Sequence, residues 1–358
     1  MMNHLYRVAA LRTELQKKKL DAFVSFFPPT IRYFTGFSGS NAFLIITASK
    51  TFFLTDFRYF EQMQSEVSAD VKLADKGNLV ECASTKKIFS SLKAIGVENN
   101  HLSLKQFSEL KKAVGEKKLY AIEALVENLR AVKDSEEIPL IKKAVEISDR
   151  VFQKILGMIK PGISELDISA EISYYHKKFG AENDAFDSIV VSGTRSSLPH
   201  GLPSEKKISN REFVTLDFGC IYHGYHSDMT RTICVGTPTA EMKKVYSVVL
   251  NAQQKAIASA TNNIAAKKLD TMARSYIASY GYGKFFRHSL GHGIGLEIHE
   301  PLRLGAASKD RLVVGNVVTI EPGIYLPQKF GVRIEDMVVI RNKGCEVLTC
   351  SSKELIVV

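Results

Sequence analysis

With 358 residues, of which 45% are hydrophobic, the chain is long enough to bury a large core and is expected to form two domains. Its 48 Lys and Arg against 38 Asp and Glu give a net charge of +10. The short lysine runs, such as Lys17-Lys18-Lys19 and Lys142-Lys143, lack the interleaved aromatics of a nucleic-acid surface, and no run of eighteen apolar residues exists to span a membrane.

In chain order, Leu5, Val8, Leu11 and Leu15 recur at helical spacing with charges between them, which predicts an amphipathic helix near 5–19, not a signal peptide. Strands are expected at 22–27, 42–47 and 51–55, and further helices near 60–66 and 105–114, so that residues 1–130 form an α/β domain. A boundary helix follows, with Asp134 or Ser135 as its cap and an apolar stripe of Ile138, Ile141, Val145, Phe152, Ile155 and Ile159. Pro139 fits only if that helix starts close by. Helices are further expected over 165–178, near 240–260 and over 267–280. The five cysteines, Cys82, Cys220, Cys234, Cys345 and Cys350, are odd in number and show no CxxC spacing. They are read as free thiols in a reducing, cytoplasmic compartment, with Cys220 a packing residue.

Five ligand-type side chains carry the chemistry. Asp217 sits in a predicted strand, a turn is expected at Tyr222-His-Gly-Tyr225, and Asp228 starts the returning strand, so the two aspartates should lie roughly opposite each other. His292 lies in a glycine-rich segment that lets backbone approach a bound group. Glu321 ends a β-branched run at Pro322-Gly323. Arg333 and Glu335 fall on one face of a strand predicted over 332–340. His223 and His226 are read as surface residues. Four carboxylates converging without cations would be costly in repulsion and desolvation. Oxygen ligands with one imidazole suit two divalent ions, Mn2+ foremost, with Co2+, Fe2+ or Zn2+ as alternatives.

The segments Leu216-Asp-Phe-Gly, Ser227-Asp-Met-Thr-Arg231, Leu290-Gly-His-Gly-Ile-Gly, His299-Glu-Pro301, Thr319-Ile-Glu-Pro-Gly-Ile-Tyr325 and Gly331-Val-Arg-Ile-Glu-Asp336 resemble the motifs of the pita-bread (M24) metallopeptidases, specifically the aminopeptidase P and prolidase branch. The resemblance covers roughly 131–358, and 1–130 resembles the creatinase-like N-terminal domain of those enzymes. It implies a curved antiparallel sheet backed by helices, and metal ligands at Asp217, Asp228, His292, Glu321 and Glu335. It also implies accessory histidines at His200, His288 and His299 that act on substrate, Glu321 as acid/base, a supporting or gating Arg333, and a homodimer.

Gly36-Phe-Ser-Gly-Ser-Asn41 and Leu54-Thr-Asp-Phe-Arg-Tyr59 resemble motifs of short bacterial aminopeptidases P, so the expected activity is removal of the first residue from peptides with proline second. The alternative is an Xaa-Pro dipeptidase, in which Arg303 would bind the dipeptide carboxylate. A non-enzymatic pita-bread binding module is the remote alternative, but such relatives have usually lost ligands that are all present here. Methionine aminopeptidases are generally shorter, and creatinases look metal-free.

Overall fold

Short apolar runs bounded by turns become the six strands of a mixed sheet: β1 Ala22–Ser25, β2 Ala42–Thr47, β3 Thr51–Asp56, β4 Val71–Asp75, β5 Ile95–Glu98 and β6 Leu119–Ile122, in the order β4-β3-β2-β1-β5-β6. They belong to the first of two compact units, which ends at Arg130; the second is Ala131–Val358. The computed structural model describes residues 3–358. β1 stops at Ser25, short of the expected Phe27, because Pro28 opens the helix Pro28–Thr35, a first-turn position where a missing N–H costs nothing. β4, β5 and β6 were not expected: β4 and β6 are edge strands, only partly buried and without a clean alternation of apolar and polar residues, and β5 is a buried run of only four residues containing a glycine.

In the second unit the helix Glu137–Leu156 has Asp134 ahead of it, whose Oδ1 accepts from the N–H groups of Glu136 and Glu137 at 2.9 Å each. Asp134 is thus the working cap of the two expected. Pro139 is the third residue of the helix, where its N–H would have had no partner within the helix, so it is tolerated. Two helix pairs back the sheets. Glu137–Leu156 and Glu165–Lys178 close a core around Val190, Val214, Leu216 and Ile233, while Ala240–Ser259 and Ala266–Ser279 close another around Val318, Ile320, Val332 and Val338. Each of these aliphatic residues contributes about 1.5–3 kcal/mol by leaving water.

The strands between are β7 Asn183–Asp184, β8 Ile189–Ser192, β9 Glu212–Phe218, β10 Cys220–Tyr222, β11 Tyr225–His226, β12 Met229–Val235, β13 Gly291–Gly293, β14 Glu300–Leu304, β15 Val317–Ile320, β16 Gly323–Leu326, β17 Phe330–Arg333, β18 Asp336–Ile340 and β19 Cys345–Val347. They form antiparallel ladders in the orders β12-β9-β8, β14-β13-β15-β18-β19, β11-β10-β7 and β16-β17. The residues expected at the site fall at or just beyond the ends of several of these strands, which is how positions far apart in sequence meet.

The second unit departs from expectation in three places. Asp217 pairs with Thr230, not with Asp228, so the two aspartates are diagonal neighbours on one face. Between them β10 and β11 make their own hairpin, whose tip residues His223 and Gly224 both have positive φ, the geometry of a two-residue type I′ turn. The strand expected over 332–340 is broken at Ile334 and Glu335: β17 pairs with β16 and β18 with β15. His226, read as a surface residue, is half-buried, and its backbone N donates to Gly295 O at 2.8 Å. All five cysteines are free, and Cys220 is buried against Ser148 and Ser227. Among the described residues no helix is long and apolar enough to cross a membrane.

Candidate metal centre

Every residue expected at the site lines one cavity of about 640 Å³ in the second unit. Its tightest part is a trio: Asp228, His292 and Glu335 each place one donor atom within 4.8 Å of the others. His292 Nε2 is also 3.5 Å from Glu321 Oε1 and 3.5 Å from Asp228 Oδ2. Its Nδ1 lies 3.0 Å from Gly293 O, so Nδ1 carries a proton, and Nε2, which faces the carboxylates, is the nitrogen a cation would take in place of its proton. That is the usual arrangement of a metal-binding imidazole. Asp217 is held differently, with Oδ2 in an ion pair with Arg333 Nη2.

Thr230 ties the cluster together, a role not expected from the sequence. Its hydroxyl donates to Glu335 Oε2 at 2.7 Å and accepts from Arg333 Nε at 3.0 Å, and its carbonyl accepts from the Glu335 N–H at 3.1 Å. Asp228 and Thr230 share a strand face, so the two-residue period was a signal that could have found it. Behind it Arg231 donates to Asp336 Oδ1 at 2.7 Å and to the Glu335 carbonyl at 2.5 Å, which holds the broken 334–335 backbone in place.

The electrostatics call for positive charge. Burial, aided by the Asp217 charge, pushes the Asp228 carboxyl up to about 6. Burial likewise raises Glu321 to about 7 and, with the Asp228 and Glu321 charges, lifts Glu335 well above the usual carboxylate range. Burial alone would depress His292, yet the Asp228 and Glu321 carboxylates hold it at about 9. Among the described residues Asp217 Oδ1 and Asp228 Oδ1 are buried without a hydrogen-bond partner, although buried oxygens are nearly always satisfied. A donor set of carboxylates and one imidazole with orphaned oxygens fits divalent cations, which satisfy such oxygens and remove the mutual repulsion.

A test of this fit needs no substrate. Carboxyls held above their unfolded values favour the protonated fold and penalise it once pH rises past the folded values. The raised His292 likewise loses its contribution as pH climbs through about 9. Metal-free protein should therefore lose thermal stability from about pH 5 to about pH 9. Cations bind the deprotonated groups and should restore it, by about 2.7 kcal/mol at a hundredfold excess over Kd, or roughly 5–10 °C for a unit of this size. A cation-induced rise in Tm that is the same at both ends of the range would count against the site.

The three accessory histidines differ in their surroundings. His288 is engaged at both nitrogens: Nδ1 is 2.8 Å from Ser289 O and Nε2 is 3.0 Å from the Tyr325 hydroxyl. Burial and the nearby Arg333 lower it to about 4, so the ring is neutral, donates through Nδ1 and accepts the Tyr325 proton. Tyr325 in turn accepts from Arg333 Nη1 at 2.7 Å. This relay from His288 to Arg333 was not expected, although Tyr325 lies within a quoted motif. His200 and His299 are exposed to the cavity, and among the described residues neither ring makes a hydrogen bond. Burial and the His292 charge lower His299. Arg303 follows suit on the wall: its Nε donates to Ser289 Oγ at 2.8 Å, and among the described residues no carboxylate pairs with its side chain.

The loops are braced from outside the cavity. Buried Glu165 accepts from Ser192, Arg195 and Ser204 and so anchors both ends of the segment that carries His200. Arg274, paired with Asp270, donates to the carbonyls of Phe286 and His288.

Comparison with known proteins gives the family and the fold. Residues 139–342 match Metallopeptidase family M24 and residues 7–132 match the Creatinase/Prolidase N-terminal domain. The chain is 39% identical over 344 residues to an Xaa-Pro dipeptidase of Pyrococcus horikoshii, covering 96% of each. Among solved structures it resembles an Xaa-Pro dipeptidase from Bacillus anthracis, with a TM-score of 0.96 and 38% identity over 99% of this chain and 100% of that one. It also resembles an X-Pro aminopeptidase from Thermotoga maritima, with a TM-score of 0.91 and 38% identity over 96% of this chain and 100% of that one.

Proposed function

We propose that this chain, which belongs to Metallopeptidase family M24, is a dinuclear-metal Xaa-Pro dipeptidase. The observation that carries the dipeptidase reading is Arg303: a guanidinium without a carboxylate partner on the wall of the cavity, oriented by Ser289 and on the strand beside the one that carries His292. A dipeptide ends in a carboxylate that must be bound there, whereas a longer peptide does not. The full-length relatives described as Xaa-Pro dipeptidases support it. This replaces aminopeptidase P, the first expectation from the sequence, as the preferred reading.

In the proposed site Asp217, Asp228, His292, Glu321 and Glu335 hold two divalent cations, and Mn2+ is our first choice because four of the five ligands are carboxylates. Such cations, when bound, polarise the scissile carbonyl and lower the pKa of an attacking water. The chain does the rest. Glu321, raised by burial to about 7, is suited to accept and return a proton near neutral pH. His200 and His299, whose rings make no hydrogen bond among the described residues, face the cavity and can donate to the developing oxyanion. His288, with both nitrogens engaged, orients Tyr325 and, through it, Arg333. Proline lacks an N–H and fixes φ, so a cavity shaped for its ring selects bonds that general peptidases handle poorly.

The test is a comparison of kcat/KM for Xaa-Pro and Xaa-Pro-Yaa peptides with manganese-loaded protein, in which the dipeptides should be the better substrates. A second reading, Xaa-Pro aminopeptidase, has support in the resemblance to the Thermotoga maritima structure, and better turnover of the tripeptides would select it.

A further inference from the structure

We infer that Lys133 is a positioning residue for His299, acting through Glu300; the inference rests on the peptidase reading of the cavity. Lys133 lies outside the cavity lining, in the strap of residues 131–134 that precedes the helix Glu137–Leu156. That strap is seated firmly. Val132 forms a β-bridge with Asn316, the Lys133 N–H donates to Gly315 O at 2.9 Å, and Asn316 Nδ2 donates to Ala131 O at 2.8 Å. Gly315 allows the approach: its φ is +91°, and a Cβ there would come within 2.9 Å of the Lys133 carbonyl.

From this seat Lys133 Nζ donates to Glu300 Oε2 at 2.7 Å, with each side chain 1% exposed. The other carboxylate oxygen accepts from the Leu296 N–H at 2.9 Å. Glu300 therefore folds back across its own loop, so closely that a Cβ on Gly295 would lie 2.8 Å from both of its oxygens. His226 holds the same turn from the other side, with backbone N and Nδ1 at 2.8 and 3.1 Å from Gly295 O. The loop thus closed begins at His292 and ends at His299, whose rings are 4.4 Å apart at 70°. His292 has other anchors, since its N–H donates to Thr319 Oγ1 at 3.1 Å. Among the described residues the His299 ring makes no hydrogen bond, so its position depends on the His292 ring beside it and on the backbone of this loop, which re-enters the sheet where Glu300 pairs with Gly293.

A buried ion pair is weak evidence for stability, because desolvation offsets the attraction, but it admits one geometry. Removing the ammonium takes the counter-charge from a buried carboxylate, which must then shift within the loop or draw in water. His299 would then drift, and a displacement on the order of 1 Å costs about 10²-fold in rate.

The experiment compares Lys133→Met, His299→Ala and the two combined, all loaded with Mn2+. Lys133→Met should lower kcat on an Xaa-Pro dipeptide about 10- to 100-fold, with little change in KM and unchanged metal content. Amide hydrogen exchange of residues 293–300 should speed up. On the His299→Ala background the same change should add little, because both act through one ring. Adding Glu300→Gln to Lys133→Met removes the buried charge that has lost its ammonium and should return part of the lost kcat. Unchanged exchange over 293–300 would overturn the inference, as would a lowered Tm with normal kcat or full additivity with His299→Ala. The exchange measurement decides the matter even if wild-type protein proves inactive on dipeptides, a result that would count against the dipeptidase reading alone.

Discussion

Removal of divalent cations should reduce peptide hydrolysis to background, and Mn2+ or Co2+ should restore it. The cavity holds no cysteine or serine placed as a nucleophile beside a base; its one serine, Ser289, accepts from Arg303 through its hydroxyl oxygen. An amide bond must then be attacked by water, whose pKa of about 15.7 has to fall towards about 7. Asp228→Asn or Glu335→Gln should have the same effect without chelator, because each removes a charged donor from the tightest trio of the site. The expected loss is about 10³-fold or more in kcat, at least the scale of one missing electrostatic group in a dry site. Each variant should bind less metal while keeping its fold, since neutralising a buried carboxylate relieves repulsion in the metal-free protein. Full turnover in chelated protein, or wild-type rates in either variant, would remove the metallopeptidase mechanism from this cavity.

Arg303→Ala should cost Xaa-Pro dipeptides about 2–5 kcal/mol in kcat/KM, a factor of roughly 30 to several thousand. The arginine is positioned by Ser289 but not neutralised by it, so it is free to pair with a substrate carboxylate as that carboxylate loses its water. Capping the dipeptide as an Xaa-Pro amide provides the control: it lacks the carboxylate, should be a poor substrate for the wild type, and should lose little more on mutation. Lysine at this position should rescue only partly, since an ammonium cannot make the paired hydrogen bonds of a guanidinium. Equal small losses for dipeptide, amide and tripeptide would show that Arg303 has no part in selection and would favour the aminopeptidase reading.

Legibility differed between the two units. In the first, the strands Ala42–Thr47 and Thr51–Asp56 were plain because central strands are continuous β-branched and aromatic runs. The edge strands Val71–Asp75 and Leu119–Ile122 were not, because their pairing comes from neighbours rather than from their own residues. In the second unit all four long helices lie within a few residues of where they were expected, and the capping box at Ser164 that starts Glu165–Lys178 is a finding of the structure.

By itself the sequence determined the long helices, the residue types at the site and the motif context that brought His200, His288, His292 and His299 into one account. Periodicity and composition are local, and local rules suffice for these. The short helices Pro28–Thr35, Leu79–Thr85 and Leu125–Ala131, by contrast, were not expected. Only the tertiary structure decided how donors are shared out. It set Asp217 against Arg333 and left Asp228, His292 and Glu335 as the tight trio. It broke the expected strand at Glu335 and made Thr230 the bridge between Arg333 and Glu335. It engaged both nitrogens of His288 and left His299 dependent on a lysine 166 positions earlier in the sequence, through a pair formed with Glu300. Hydrogen bonds and charge pairs between segments far apart in sequence exist only once register and packing have placed their atoms within about 3 Å, and no local pattern along the chain encodes that distance.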